Sequence, residues 1–144
     1  MGSLTFDKSL EDALKTSTYI IESLPENLQL KHNLYKEIEQ ISNNSIILSS
    51  TSGFKPTDLQ KYMKNPQNLL VTHPFNPVYL MPLVEVVPGQ ERDQNIVDDV
   101  NHLLEYIGMV PIIIKKEIDA FVADRMLEAM WREALWLIKD DICT

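Results

Sequence analysis

The chain has 144 residues, enough for one domain with a sizeable core, and its 44% apolar content is that of an ordinary globular protein. Its 21 acidic against 13 basic residues give a net charge of −8, which argues against nucleic acid or an anionic membrane surface as the main partner. No apolar run reaches the ~20 residues of a membrane span, no signal-peptide pattern opens the sequence, and the single Cys143 has no internal disulfide partner, so a reducing cytoplasm is the expected compartment.

Taken in order, Leu4 to Phe6 reads as a short strand. Ser9 can cap a helix over Leu10 to Lys15, with Glu11 and Asp12 in the first turn, where the helix dipole favours negative charge. Tyr19 to Ile21 reads as a buried strand, followed by a loop through Pro25. Leu30, Leu34 and Ile38 mark the apolar face of a helix from Leu28 to Ser42. Ile46 to Leu48 is the next strand, and a polar loop leads to Pro56, which suits the first turn of a short helix ending near Met63.

Leu69 to Val71 and Leu83 to Val87 read as two further strands. Asp93 to Ile107 is a helix with Ile96, Val100, Leu103, Leu104 and Ile107 on one face, stopped by Gly108. Pro111 to Ile114 is a last strand. Ile118 to Ile142 reads as one long helix carrying Trp131 and Trp136 close to its apolar side. Strands alternating with amphipathic helices predict an α/β fold with a parallel sheet over residues 1–115. Residues 116–144 then open a second, helical domain whose apolar face needs burial against another segment or a second copy, so a homo-oligomer is expected.

The stretch Thr72 to Pro88, THPFNPVYLMPLVEVVP, concentrates the residues able to do chemistry. His73 stands where a strand ends and a proline-rich loop begins, and Glu85 sits inside the following apolar strand, a costly place for an unpartnered carboxylate. Spacing alone leaves two readings. In one, Glu85 orients His73 and stabilises its imidazolium form, which suits a general base. In the other, His73 only satisfies local hydrogen bonds and Glu85 faces water at the sheet edge. His32 and His102, on helices among polar residues, are expected at the surface, and no Cys/His cluster points to a metal.

HPFNPVYLMPLVEVV resembles the active-site segment of the 3-hydroxyacyl-CoA dehydrogenase superfamily, and its wording is most similar to the carnitine-type branch. LTFDKSLEDALKTSTYIIESLPENLQLKHNLYKEIEQ resembles the second half of that family's nucleotide-binding domain. The four glycines, Gly2, Gly53, Gly89 and Gly108, do not form the GxGxxG fingerprint. The resemblance therefore implies the second half of a Rossmann-type sheet, followed by the first long helix of an all-α C-terminal domain.

The resemblance implies NAD as cofactor and a small 3-hydroxy acid as substrate, carnitine first, then a 3-hydroxyacyl-CoA, then a sugar acid. It gives His73 the role of catalytic base and Glu85 that of its orienting carboxylate. Ser52, in SSTSG, becomes the hydroxyl that touches cofactor and reacting oxygen; read by itself it is a turn-forming serine. Glu26 and Lys31, in PENLQLK, fall at the nicotinamide side of the cofactor; by themselves they read as a solvated ion pair. Asn76 matches the Asn-Pro loop. Asp124, in AFVADRMLEA, replaces the Asn of the acyl-CoA enzymes; an ionised Asp cannot donate a hydrogen bond, which turns the implied substrate from a thioester toward carnitine. Carnitine's trimethylammonium would be recognised by aromatic faces and carboxylates, for which Phe75, Tyr79, Trp131 and Trp136 are available, although aromatics on such a helix are as a rule core or interface. The missing fingerprint keeps open a second function: a non-catalytic truncated piece or assembly module of such an enzyme.

Overall fold

A computed structural model describes residues 3–144. Its centre is a five-stranded sheet in the order β1-β2-β3-β4-β5, from Tyr19–Glu22, Ile46–Ser49, Leu69–Pro74, Leu83–Pro88 and Val110–Ile113. The helices are α1 (Leu10–Leu14), α2 (Leu28–Ile41), α3 (Pro56–Gln60), α4 (Gln94–Tyr106) and α5 (Ala123–Lys139). Side chains alternate across the strands and build two cores. Ile47, Leu69, Val71 and Val87 meet Leu14, Tyr35, Ile38 and Leu59 of α1 to α3 on one face. Ile46, Leu48, Leu70, Val84 and Val86 meet Val97, Val100 and Leu104 of α4 on the other.

The mixed α/β architecture is as expected, but the sheet is not wholly parallel. β1, β2 and β3 run parallel, and β4 with β5 likewise, whereas β3 and β4 are antiparallel. The reason lies between them. The segment 75–82 contains no helix and is too short for a crossover, so the chain must turn back on itself.

Other expectations also shift. Leu4 to Phe6 lie outside the sheet with Leu4 and Phe6 exposed, because two apolar side chains bury too little to order a strand. α3 ends at Gln60, whose buried amide nitrogen donates to the carbonyls of Pro66, Leu69 and Glu91 and ties the following loops together. The buried side of α2 comprises Lys31, His32, Tyr35 and Ile38, while Leu30 faces out. On α4, Val97 rather than Ile107 completes the buried face. His32 is buried, its Nε2 2.8 Å from the Asp58 carbonyl and its ring edge-on to Tyr62.

The last helix starts later than its apolar pattern predicts. Ala120 and Phe121 have positive φ, and Phe121 turns fully into the first core before α5 begins. None of the 17 residues of α5 is buried. Among the described residues no helix is long and apolar enough to cross a membrane.

Candidate active site

His73 and Glu85 are direct cross-strand partners in the antiparallel β3–β4 ladder. Opposed residues of such a ladder project from the same face of the sheet, so the register itself brings the two side chains together. Nδ1 of His73 is 2.8 Å from Oε2 of Glu85, with both side chains nearly removed from solvent. The other carboxylate oxygen accepts the backbone N–H groups of Val122 at 2.9 Å and Ala123 at 3.0 Å. One buried carboxylate thus holds the imidazole and the N-terminus of α5, where the unpaired amides and the helix dipole both favour a negative charge. With Nδ1 engaged, Nε2 is the ring nitrogen left for a ligand. The rings of Phe75 and Phe121 flank the imidazole at 5.7 and 5.6 Å between centroids.

His73 opens on a cavity of about 540 Å³ walled by Pro74, Phe75 and Asn76 on one side and by Asp124, Leu127 and Met130 of α5 on another. Among the described residues Asp124 is the only carboxylate in this wall, and no Lys or Arg lines it. His73, Phe75, Asn76 and Asp124 are therefore brought together at one cavity. Trp131 is not: it lines a separate hollow along α5 with Glu128, Arg132 and Trp136. Tyr79 is almost wholly exposed.

Ser52 lies on the loop just beyond β2. The parallel β2–β3 pairing, with Ser49 opposite Val71, sets the end of β2 and His73 at the same carboxyl edge of the sheet, the edge at which open α/β sheets bind ligands. The loop is anchored by Glu26, whose carboxylate accepts the Thr51 hydroxyl at 2.6 Å and the Ser52 amide at 2.8 Å. Thr51 in turn accepts the amides of Gly53 and Phe54.

The solvated Glu26–Lys31 ion pair that these residues suggest by themselves does not form, and Lys31 is turned into the fold rather than toward a cofactor. Lys31 is 1% exposed, and its Nζ donates to Glu22 at 2.8 Å and to the Leu24 carbonyl at 3.1 Å. Glu22, which the sequence reading passed over, also accepts the hydroxyls of Tyr35 and Ser49, each at 2.6 Å, and the amide of Leu24. Burial pushes the Glu22 carboxyl up, and the hydrogen bonds from Lys31, Ser49, Tyr35 and the Leu24 amide outweigh it and hold the group below the usual carboxylate range. Burial, reinforced by the Glu22 carboxylate, raises the Tyr35 phenol far above its ordinary value. A carboxylate at the end of an apolar strand, nine residues before a lysine that recurs on the buried side of the next helix, is the signal that could have found this pair.

Residues 1–118 match the family model of the 3-hydroxyacyl-CoA dehydrogenase NAD binding domain. The chain belongs to the 3-hydroxyacyl-CoA dehydrogenase family. It is 53% identical to the L-carnitine dehydrogenase of Mesorhizobium japonicum and 52% identical to that of Oceanobacillus iheyensis, over 99% of its own length in both cases. It spans only 40% and 47% of those relatives, less than half of either. The solved (S)-3-hydroxybutyryl-CoA dehydrogenase of Ralstonia eutropha superposes with a TM-score of 0.86 at 31% identity, covering 95% of this chain and 48% of that one.

NAD is the cofactor of the matched domain. The residues present fit one end of such a dinucleotide. The three parallel strands end at one edge, where Ser23, Glu26 and Ser52 are exposed, and hydroxyl and carboxylate groups are of the chemistry that ribose hydroxyls pair with. A glycine-rich turn for its pyrophosphate is not among the 144 residues.

Proposed function

We propose that the protein carrying this chain oxidises a small cationic 3-hydroxy acid, with L-carnitine as the first candidate, and that His73 is its general base. The observation that carries this reading is the 2.8 Å pair between His73 Nδ1 and Glu85 beside a cavity that Asp124 also lines. NAD, when bound, supplies a hydride acceptor for the carbinol carbon. His73 takes the hydroxyl proton on Nε2. Glu85 fixes the tautomer and stabilises the imidazolium that results. The Ser52 hydroxyl holds the reacting oxygen. Glu26 stands at the cofactor side; Lys31, buried and engaged by Glu22 and the Leu24 carbonyl, does not reach a ligand there.

Substrate choice rests on Asp124 and Phe75. A trimethylammonium group has no N–H to donate, so it gains from a carboxylate and an aromatic face in a cavity that Met126, Leu127 and Met130 also line. Asn76 closes the wall beside Phe75. A long acyl thioester gains nothing from an ionised Asp at this place.

A second reading is favoured by α5, which buries none of its residues. In it, the chain is an assembly module of such an enzyme, competent only when another segment or a second copy covers that helix. A single assay tests the enzyme reading. The full-length protein is incubated with NAD+ and either L-carnitine or a 3-hydroxybutyryl thioester, and NADH formation is followed for the parent and His73→Gln. The enzyme reading expects turnover with carnitine, reduced about a hundredfold or more in the variant. Absence of turnover with both substrates, or an undiminished variant, overturns it.

A further inference from the structure

The Glu22 cluster is a buried set of titratable groups to which the proposed reaction gives no task. Its connections lead to the cofactor edge. Glu22 accepts the Leu24 amide while Lys31 donates to the Leu24 carbonyl, so both polar groups of that peptide position are fixed from the buried side. The backbone carbonyl of Glu22 accepts from the amide of Ser50 at 2.9 Å and from its hydroxyl at 2.8 Å, clamping the ends of β1 and β2 together. Two residues beyond Leu24, Glu26 reaches across to the Thr51 hydroxyl and the Ser52 amide. Asn27 then caps α2, accepting the Leu30 amide. Glu26 is thus exposed, on a short loop pinned at Leu24 by the cluster and at Asn27 by the cap.

We propose that Glu22 is a positioning residue. With Lys31 and Tyr35 it fixes the loop from which Glu26 holds Ser52, and so sets the cofactor-side hydroxyl from inside the fold. This rests on the reading of Glu26 and Ser52 as ligand-facing groups. A hydrophobic pair of similar volume would hold the helix to the sheet as well, but it would leave the Leu24 amide and carbonyl without their present partners. The cluster's distinctive work is therefore directional. It connects a buried charge to the Leu24 backbone, that backbone to Glu26, and Glu26 to the Ser52 amide.

The test uses the full-length protein, with Glu22→Gln and the milder Tyr35→Phe, and two readouts. In the first, amide hydrogen exchange at Leu24 and Ser52 is expected to accelerate at least tenfold in Glu22→Gln and about threefold in Tyr35→Phe, with the Leu48 and Val71 amides of the sheet unchanged. In the second, the dissociation constant for NADH is expected to rise at least tenfold in Glu22→Gln, but less than twofold when the same change is made on a Glu26→Ala background. An unaltered Ser52 amide overturns the proposal. So does an equal loss of affinity in both backgrounds, which is what general loosening of the fold would produce. Should Glu22→Gln not fold, Tyr35→Phe decides by the same exchange measurement. If the parent itself fails to bind NADH, the dinucleotide reading falls, and amide exchange still decides whether Glu22 positions Ser52.

Discussion

Glu85 divides its carboxylate between His73, 2.8 Å from one oxygen, and the amides of Val122 and Ala123, at 2.9 and 3.0 Å from the other. The same residue orients the proposed base and fixes the start of the helix that walls the cavity. Chemistry and cavity shape are therefore coupled at one side chain, and substitutions that separate charge from hydrogen-bonding capacity should separate the two effects.

Glu85→Gln keeps an oxygen that can accept from Val122 and Ala123 but loses the charge that stabilises an imidazolium. Turnover in the full-length protein should fall about a hundredfold with little change in denaturation midpoint. Glu85→Ala removes both functions and should also lower stability by about 2 kcal/mol or more, the scale of hydrogen bonds to a charged group, read by urea denaturation. Equal stability losses in the two variants would contradict the split.

Asp124→Asn should move substrate preference. The amide has no charge for a trimethylammonium group and gains an N–H donor. The ratio of kcat/KM for L-carnitine to that for 3-hydroxybutyryl-CoA should fall tenfold or more, equivalent to about 1.4 kcal/mol. A ratio that does not move would remove Asp124 from the substrate pocket.

Trp131→Ala should leave L-carnitine affinity within about twofold, because Trp131 lines a hollow separate from that of His73. Titration calorimetry on the full-length variant checks this. A large loss would mean that the indole reaches the cavity by a route the described residues do not show.

Stability should depend on pH through the Glu22 cluster. The folded carboxyl is held below its ordinary 4.5, so its contribution is present above about that pH and is lost as pH falls through the lower folded value. Chemical denaturation between pH 2 and 6 should show a steeper acid loss in the parent than in a Glu22→Gln/Lys31→Met double variant.

Tyr35 acts with the opposite sign. Its folded phenol is raised above the ordinary 10.0, so its contribution is present below about pH 10 and lost as pH rises beyond it, where the unfolded chain releases the proton and the folded one keeps it. Tyr35→Phe should flatten the alkaline limb of the stability profile. An unchanged limb would show that the phenol does not govern it.

Most elements were legible because local pattern and burial agree. Ile46 to Leu48, Leu69 to Val71 and Leu83 to Val87 are apolar runs that can be satisfied only inside a sheet, and that is where they lie. Patterns misled where a polar group won the buried position. Leu30 fits an apolar helix stripe, yet Lys31 occupies the interior because Glu22 and the Leu24 carbonyl satisfy its ammonium. The apolar sequence from Ile118 onward fits a helix, yet the chain turns at Ala120 and Phe121 so that the ring fills the core and the next two amides reach Glu85.

The sequence by itself determined the α/β class, the family and the residue types at the site, since apolar periodicity and a contiguous motif are local properties of the chain. Tertiary structure alone decided that β3 and β4 run antiparallel, that their register sets His73 opposite Glu85, and that Glu22 rather than Glu26 takes Lys31. Those outcomes depend on which distant groups satisfy one another's hydrogen bonds away from water, and spacing along a chain does not encode that choice.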